Sequence, residues 1–290
     1  MQNIWELDFY SRPILDEKGK KVWEVLLCES PSAIAQTESL FRFSKFCPST
    51  QVNSIWLKKA IQEAIAEAGN APTKIRFFRQ QMRNMITKSC KDLGIDSVPS
   101  RRTMTIQGWL KERMAQVYPQ DPNYQEGPAS VSVRMESPLA SQLPDALQGE
   151  QWAFVSLAAS DFTELNEWDI SFGEVFPILG EKSLVPELTP ESRIPGLIVF
   201  SSRAMALAGW MSGLDLAFLA VNETPPARLL LETGGNDCWI LANIVNSQTL
   251  SEAKGFLAAK EKAQQVHFLA IQSDPESESF AGFWLLQQIQ

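Results

Sequence analysis

The opening of the chain does most to limit what it can fold into. Ile4 to Leu15 and Lys21 to Glu29 are two extended runs, the second reading Val22-Trp23-Glu24-Val25-Leu26-Leu27, and Asp16-Glu17-Lys18-Gly19 lies between them. Aliphatic and aromatic residues bracketing a short turn that holds Asp and Gly predict an antiparallel hairpin. A third strand is expected at Leu40 to Phe46, where Phe41, Phe43 and Phe46 sit among Arg42 and Lys45. The period then changes from two to that of a helix. Ser49 and Thr50 are capping residues, and Val52, Ile55, Trp56, Ile61, Ala64, Ile65 and Ala68 recur at helical spacing until Gly69. Lys74 to Phe78 reads as a short strand. A second helix follows to Leu93-Gly94, with Met82, Met85, Ile86, Ser89, Cys90 and Leu93 as its core-facing stripe. Val98-Pro99-Ser100-Arg101-Arg102 is a turn into a third helix through Trp109-Leu110 to about Val117.

From 119 to 149 the texture is polar and broken by Pro119, Pro122, Pro128, Pro138 and Pro144, and reads as a linker. The second half begins at Trp152-Ala153-Phe154-Val155 and passes through Pro177, Pro186, Pro190 and Pro195. Strands are expected at Leu197 to Phe200, Leu216 to Val221, Arg228 to Glu232, Cys238 to Val245, Val266 to Ser273 and Ala281 to Gln287. Helices are expected near 202–213 and 249–265. The fold class is therefore α+β, with two mixed-sheet α/β modules at 1–118 and 150–290 joined by 119–149. Each module has the order strand-strand-strand-helix-strand, which resembles the ribonuclease H-like layout.

A length of 290 residues is enough for two cores, and 44% hydrophobic with 21% charged residues excludes wholesale disorder. No apolar run approaches the roughly 18–20 residues needed to span a bilayer, so no membrane insertion is expected. Met1 leads directly into Trp5-Glu6-Leu7-Asp8-Phe9, leaving no room for a signal or transit peptide. Cys28, Cys47, Cys90 and Cys238 are widely spaced, the pattern of buried thiols in a reducing cytoplasm and not of a metal site. The expected compartment is the cytoplasm.

Charge divides the chain. Residues 1–118 carry 18 basic and 12 acidic side chains, and residues 119–290 carry 8 and 22. Between Arg42 and Arg113 there are fourteen Lys and Arg against five Asp and Glu. A sign change of this kind fits one half that meets a polyanion, although solvated helix faces produce the same count. Arg76, Arg79, Arg83, Lys88, Lys91, Arg101 and Arg102 fall on a strand end, one helix and the next turn, so one surface is expected to display them. At about 100° per residue, Lys88 and Lys91 point away from the apolar stripe, with Arg79 and Arg83 on its border. Phe77 and Phe78 alternate faces, so one of them, taken as Phe78, is free to stack on a base. Guanidinium forks and a ring are what a single-stranded nucleic acid needs from its binder.

Catalysis finds less support. Asp8 and Glu24, with Glu6 or Glu29, are the candidates for a metal-dependent nuclease, but no helical acid joins them, and Asp8 has Arg12 as an alternative partner. His267 precedes Phe268-Leu269-Ala270-Ile271 in a buried strand and reads as a satisfied core side chain. No nucleophile elbow and no phosphate-binding Gly-Lys-Ser or Gly-Lys-Thr loop occurs. No catalytic residue, metal or cofactor is expected.

Trp5-Glu6-Leu7-Asp8-Phe9-Tyr10-Ser11-Arg12-Pro13, Gly19-Lys20-Lys21-Val22-Trp23-Glu24, Lys74-Ile75-Arg76-Phe77-Phe78-Arg79 and Val98-Pro99-Ser100-Arg101-Arg102 are similar to segments of the Tab-two/Atab-two-like family of cyanobacteria and chloroplasts. So are Ile194-Pro195-Gly196-Leu197, Ser202-Arg203-Ala204, Trp210-Met211, His267-Phe268-Leu269-Ala270-Ile271-Gln272 and Gly282-Phe283-Trp284-Leu285-Leu286. The resemblance implies an RNA-binding protein that supports translation of photosystem reaction-centre subunits, chiefly of photosystem I, through A/U-rich leader RNA. It implies no catalytic residues. Ribosomes or nascent photosystem subunits are the expected protein partners, and an assembly scaffold is the rival reading. Plastid relatives carry a transit peptide, so its absence here fits a cyanobacterial, cytoplasmic protein.

Overall fold

The computed structural model describes residues 3–31, 40–125, 139–180, 183–235 and 237–289. It is α+β, with three mixed sheets. Described residues 3–30 and 40–125 form one compact unit, and those from 139 onward form a second.

In the first unit the strands are β1 (Ile4–Leu15), β2 (Lys21–Glu29), β3 (Arg42–Cys47), β4 (Lys74–Phe77) and β5 (Asp96–Pro99). The helices are α1 (Ser54–Ala68), α2 (Arg83–Lys91) and α3 (Met104–Glu112). The predicted hairpin forms because Asp16 organises its turn. The Asp16 Oδ1 accepts from the Lys18 and Lys20 amides at 3.0 and 2.8 Å, and Gly19 takes the left-handed φ of 72° that the reversal requires. One sheet has the order β3-β2-β1-β4-β5. β1, β2 and β3 are antiparallel neighbours, and β4 and β5 continue the sheet parallel to β1. Strand β1 is central and buried on both sides from Trp5 to Phe9. Trp5, Leu7 and Phe9 enter a core with Phe43, Leu57, Ile61, Ile75, Ile86 and Cys90, which places α1 and α2 on that face. Leu26 and Cys28 meet Ile106 and Trp109 of α3 on the other.

Helix α1 is capped by Asn53, whose side chain accepts from the Ile55 and Trp56 amides at 3.0 and 2.9 Å. The expected caps Ser49 and Thr50 instead belong to a separate 3-10 turn. Gly69, at φ 75°, ends α1 as predicted. Helix α3 follows the predicted turn and runs to Glu112, and 113–117 continue it as a wider π turn to the expected Val117.

In the second unit the strands are β6 (Ala140–Gln142), β7 (Gln151–Ala158), β8 (Ile170–Glu174), β9 (Arg193–Phe200), β10 (Leu216–Asn222), β11 (Arg228–Thr233), β12 (Cys238–Asn243), β13 (Val266–Gln272) and β14 (Phe280–Gln287). Its helices are α4 (Ala204–Ser212) and α5 (Ser247–Lys262). The expected order of three strands, a helix and a strand recurs as β10-β11-β12-α5-β13. Here, however, β13 leaves the sheet β10-β11-β12-β6 and joins β7-β9-β13-β14-β8. Its seven residues are all buried, so it belongs between neighbours in the middle of a sheet.

The stretch read as a linker is partly structured. The Leu15 amide donates to the Asn123 carbonyl and the Gln125 amide to the Pro13 carbonyl, at 3.1 and 2.9 Å. β6 pairs parallel with β12. The intervening 126–138 lie outside the described residues. The closing Phe283, Trp284, Leu285 and Leu286, which the scaffold reading needs at the surface, are at most 3% exposed.

Close packing around β14 depends on glycine. A Cβ at Gly173 would lie 2.4 Å from the Phe283 carbonyl oxygen, a backbone atom that cannot swing aside. Gly173→Ala is expected to destabilise the protein by roughly 1–3 kcal/mol in urea unfolding. Gly255→Ala, in α5 with nothing within 4 Å, should stabilise it by roughly 0.5–1 kcal/mol.

Candidate nucleic-acid interface

Charged side chains on the α3 face of the first sheet arrange themselves around three buried carboxylates. Asp8 and Arg12 lie four apart on β1 and share a face, and Glu24 lies on the neighbouring strand. Arg12 Nη1 is 2.9 Å from Asp8 Oδ2, and Arg12 Nε is 2.9 Å from Glu24 Oε2. Arg79 Nε reaches Asp8 Oδ1 at 2.5 Å. Glu24 also receives Arg113 Nη2, and the Tyr118 hydroxyl donates to its Oε2 at 2.5 Å. Burial works against the Arg12 charge, but Asp8, Tyr118 and Glu24 outweigh it, and its pKa ends above the ordinary value. Burial pushes the Tyr118 hydroxyl up as well, keeping it a donor. Glu6, fully buried, accepts from the Ser30 hydroxyl and the Ile106 amide, each at 2.8 Å. Burial raises its pKa to about 7 against those bonds and the nearby Arg76.

The predicted surface set divides in two. Arg76, the register partner of Glu6 on β4, is 3% exposed, as is Arg79, and Arg102 is 4% exposed. These three are held inside. Arg79 reaches Asp8 and Arg76 lies near Glu6, and such pairing offsets the cost of desolvation. Arg79 also lies 4.0 Å from the Tyr10 ring centroid and 4.9 Å from that of Phe78. Phe78 is half-buried and packs with Leu26, Cys28, Ile106 and Trp109. Arg101 is half-buried. Arg83, Lys88 and Lys91 are exposed, Lys88 and Lys91 on the side of α2 opposite Ile86, Ser89 and Cys90 and Arg83 at the border of that stripe. Helix α2 contains no carboxylate, and among the described residues no ion pair engages these three cations.

The acids considered for nuclease chemistry are taken up elsewhere. Asp8 and Glu24 hold guanidiniums, and Glu29 Oε2 accepts from the Phe41 amide at 3.0 Å. Among the described residues no group of three or more His, Cys, Asp or Glu could hold a metal ion. His267 is fully buried, as its strand predicted. Its Nε2 accepts from the Leu219 amide at 2.9 Å and its Nδ1 lies 2.8 Å from the Gln265 carbonyl, which fixes a neutral ring protonated at Nδ1. Burial, then nearby Lys260, hold its pKa well below the ordinary value. Lys260, lowered to about 7 by burial, donates to the Leu219 carbonyl and to Gln288 Oε1, each at 2.6 Å.

With this geometry in place, comparison with known proteins is decisive on ancestry. The family described as "RNA-binding protein Tab2/Atab2 N terminal" matches residues 4–113, and "RNA-binding protein Tab2/Atab2, C-terminal domain" matches residues 130–287. The chain belongs to the Tab2/Atab2 family. "Protein TAB2 homolog, chloroplastic" from Arabidopsis thaliana is 39% identical over 286 residues, 97% of this chain and 74% of that one. Its Zea mays counterpart is 37% identical over 287 residues, 97% of this chain and 70% of that one. Among solved structures, a chain of a simian T-cell lymphotropic virus intasome bound to PP2A regulatory subunit B56 gamma aligns at a TM-score of 0.29. It is 17% identical, over 42% of this chain and 43% of that one, and carries no weight. The Tab2/Atab2 relatives correct one expectation. Both are named chloroplastic, which overturns the cytoplasmic placement drawn from the start of the sequence. No described helix is long and apolar enough to cross a membrane.

Removing Arg12 leaves two buried carboxylates short of a counter-charge. Arg12→Ala is expected to cost roughly 3–5 kcal/mol, read as a lowered midpoint in denaturant. His267 gives a pH signature. Below its unfolded pKa of 6.5 the unfolded chain takes up a proton that the folded one refuses, so stability falls with falling pH. His267→Gln should flatten the decline in thermal midpoint between about pH 6.5 and pH 5 relative to the parent.

Proposed function

We propose that this chain is a non-catalytic RNA-binding protein that promotes translation and biogenesis of photosystem reaction-centre subunits by holding A/U-rich single-stranded leader RNA. The basic N-terminal unit supplies the RNA surface and the acidic C-terminal unit contacts protein, a ribosome or a nascent subunit. The chloroplast named for its relatives is the proposed setting. The observation that carries the reading is the outward face of α2. Arg83, Lys88 and Lys91 stand exposed there without a carboxylate on the same helix, in a chain whose family is described as RNA-binding.

An unpaired strand has no groove to read, so mobile cations along a helix suit it. Arg76, Arg79 and Arg102 act beneath that surface. Arg79 and Arg76 hold the sheet face together at Asp8 and Glu6, and Arg101 and Phe78 are half-buried between the two sets. The nuclease reading loses ground because the Asp8 carboxylate already binds two guanidiniums. The scaffold reading loses its apolar patch to the interior of β14.

The test is affinity for a fluorescent oligouridylate as a function of salt. Lys88→Ala/Lys91→Ala should weaken binding and lower the slope of log K against log salt by about 0.7 per lost phosphate contact. Arg79→Met should lower stability and leave the slope alone. An unchanged slope in the lysine pair would exclude α2 as the RNA face.

A further inference from the structure

The exposed side of β3 holds a second set of groups suited to RNA. Burial alternates along this strand: Phe43 and Cys47 face the α1–α2 core, while Arg42, Ser44 and Phe46 are exposed. β3 is an edge of its sheet, so Arg42, Ser44 and Phe46 line one open ledge about 13 Å long at ~3.3 Å per residue. Phe46 is 45% exposed and is the one aromatic among the exposed large hydrophobics of the described residues. A lone surface phenylalanine is ordinary; the neighbours of this one set it apart.

Across the β2–β3 register Phe46 faces Glu24, whose carboxylate is buried and already engaged by Arg12, Arg113 and Tyr118. The ledge therefore has no free negative charge beneath it to repel a phosphate. Arg42 faces Cys28, whose thiol burial pushes up and keeps neutral. The Arg42 guanidinium lies 5.4 Å from the Trp109 ring centroid, and that of Arg113 lies 5.6 Å from the same ring. Arg42 also pairs with Glu112 at 3.0 Å, but both partners are over 40% exposed. Such a pair is weak enough for a phosphate to displace it while the contact with Trp109 keeps the guanidinium in place.

We propose that the β3 ledge is a nucleotide-binding site, in which Phe46 stacks a base of single-stranded RNA and Arg42 meets an adjacent phosphate. The proposal rests on the RNA-binding reading given above. Charge complementarity selects RNA over a protein as the occupant, because even without the buried Arg76, Arg79 and Arg102 the stretch from Arg42 to Arg113 holds eleven cationic residues against five anionic ones. The ledge and the α2 cations lie on opposite faces of one sheet, so each is open to separate test.

The experiment uses the full chain and a fluorescent oligouridylate, with anisotropy read at several salt concentrations. Phe46→Ala should bind about tenfold more weakly, the effect of one stacked base, with the salt slope unchanged. Phe46→Trp should keep parental affinity, which a purely structural role for the ring would not predict. Arg42→Gln should lower the slope by about 0.7. Because Phe46 is exposed, thermal midpoints should match the parent. If Phe46→Ala lowers the midpoint, Phe46→Trp affinity and the Arg42→Gln slope decide instead. Parental RNA affinity in both Phe46→Ala and Arg42→Gln, alongside weakened Lys88→Ala/Lys91→Ala, overturns the ledge and leaves the RNA reading standing. Loss of a protein partner with RNA affinity intact in Phe46→Ala likewise overturns it. A parent chain that binds no oligouridylate at any salt overturns both readings together.

Discussion

A carboxylate removed from water must find a counter-charge or take up a proton. In the first unit Asp8 and Glu24 are both sealed between a sheet and α3, and Arg12 lies between them as a shared cation. The arrangement extends outward in both directions, through Arg79 from Asp8 and through Arg113 and Tyr118 from Glu24. Strand, connecting turn and the segment after α3 are thereby fixed relative to one another by a few directional contacts. Apolar packing fills the other face of the sheet, but it does not specify register so sharply. The polar face does, because a slip of one residue would bury these charges unpaired.

The same constraint explains why positive charge in the sequence overstates positive charge at the surface. Arg76, Arg79 and Arg102 contribute fully to the count that marks this half as basic, yet all three are buried, Arg79 on Asp8 and Arg76 near Glu6. Arg83, Lys88 and Lys91 contribute equally and remain in solvent. Nothing in local composition separates Arg79 from Arg83, since both border the apolar stripe of one helical stretch. What separates them is Asp8, distant in sequence and adjacent in space. The tie between Asp8 and Arg12, in contrast, was legible, because residues four apart on a strand share a side.

Strands and helices with strong periodicity stood out in the residues alone: the hairpin with its Asp16–Gly19 turn, the Gly69 stop of α1, and β10 to β14. His267 as a satisfied interior group was equally readable from the apolar run after it. Short or irregular pieces were not. β6 has three residues and owes its existence to β12. β8 contains a glycine in tight contact with the β14 backbone, which weakens its strand signal while making the packing possible. The helix cap moved from Ser49 or Thr50 to Asn53, because several capping residues lay within one turn and only the tertiary path decides among them.

Leu219 gives the C-terminal sheet a property beyond local stability. β10 is a terminal strand of its sheet, and such a strand ordinarily offers unsatisfied amides and carbonyls to any passing chain. At Leu219 both groups are already claimed, the amide by His267 and the carbonyl by Lys260. Side chains from another sheet and a helix thus close this one position of the edge to a further strand. A strand adding at this point of β10 would have to begin by evicting two buried nitrogen bases, a barrier built from chemistry and not from length or charge.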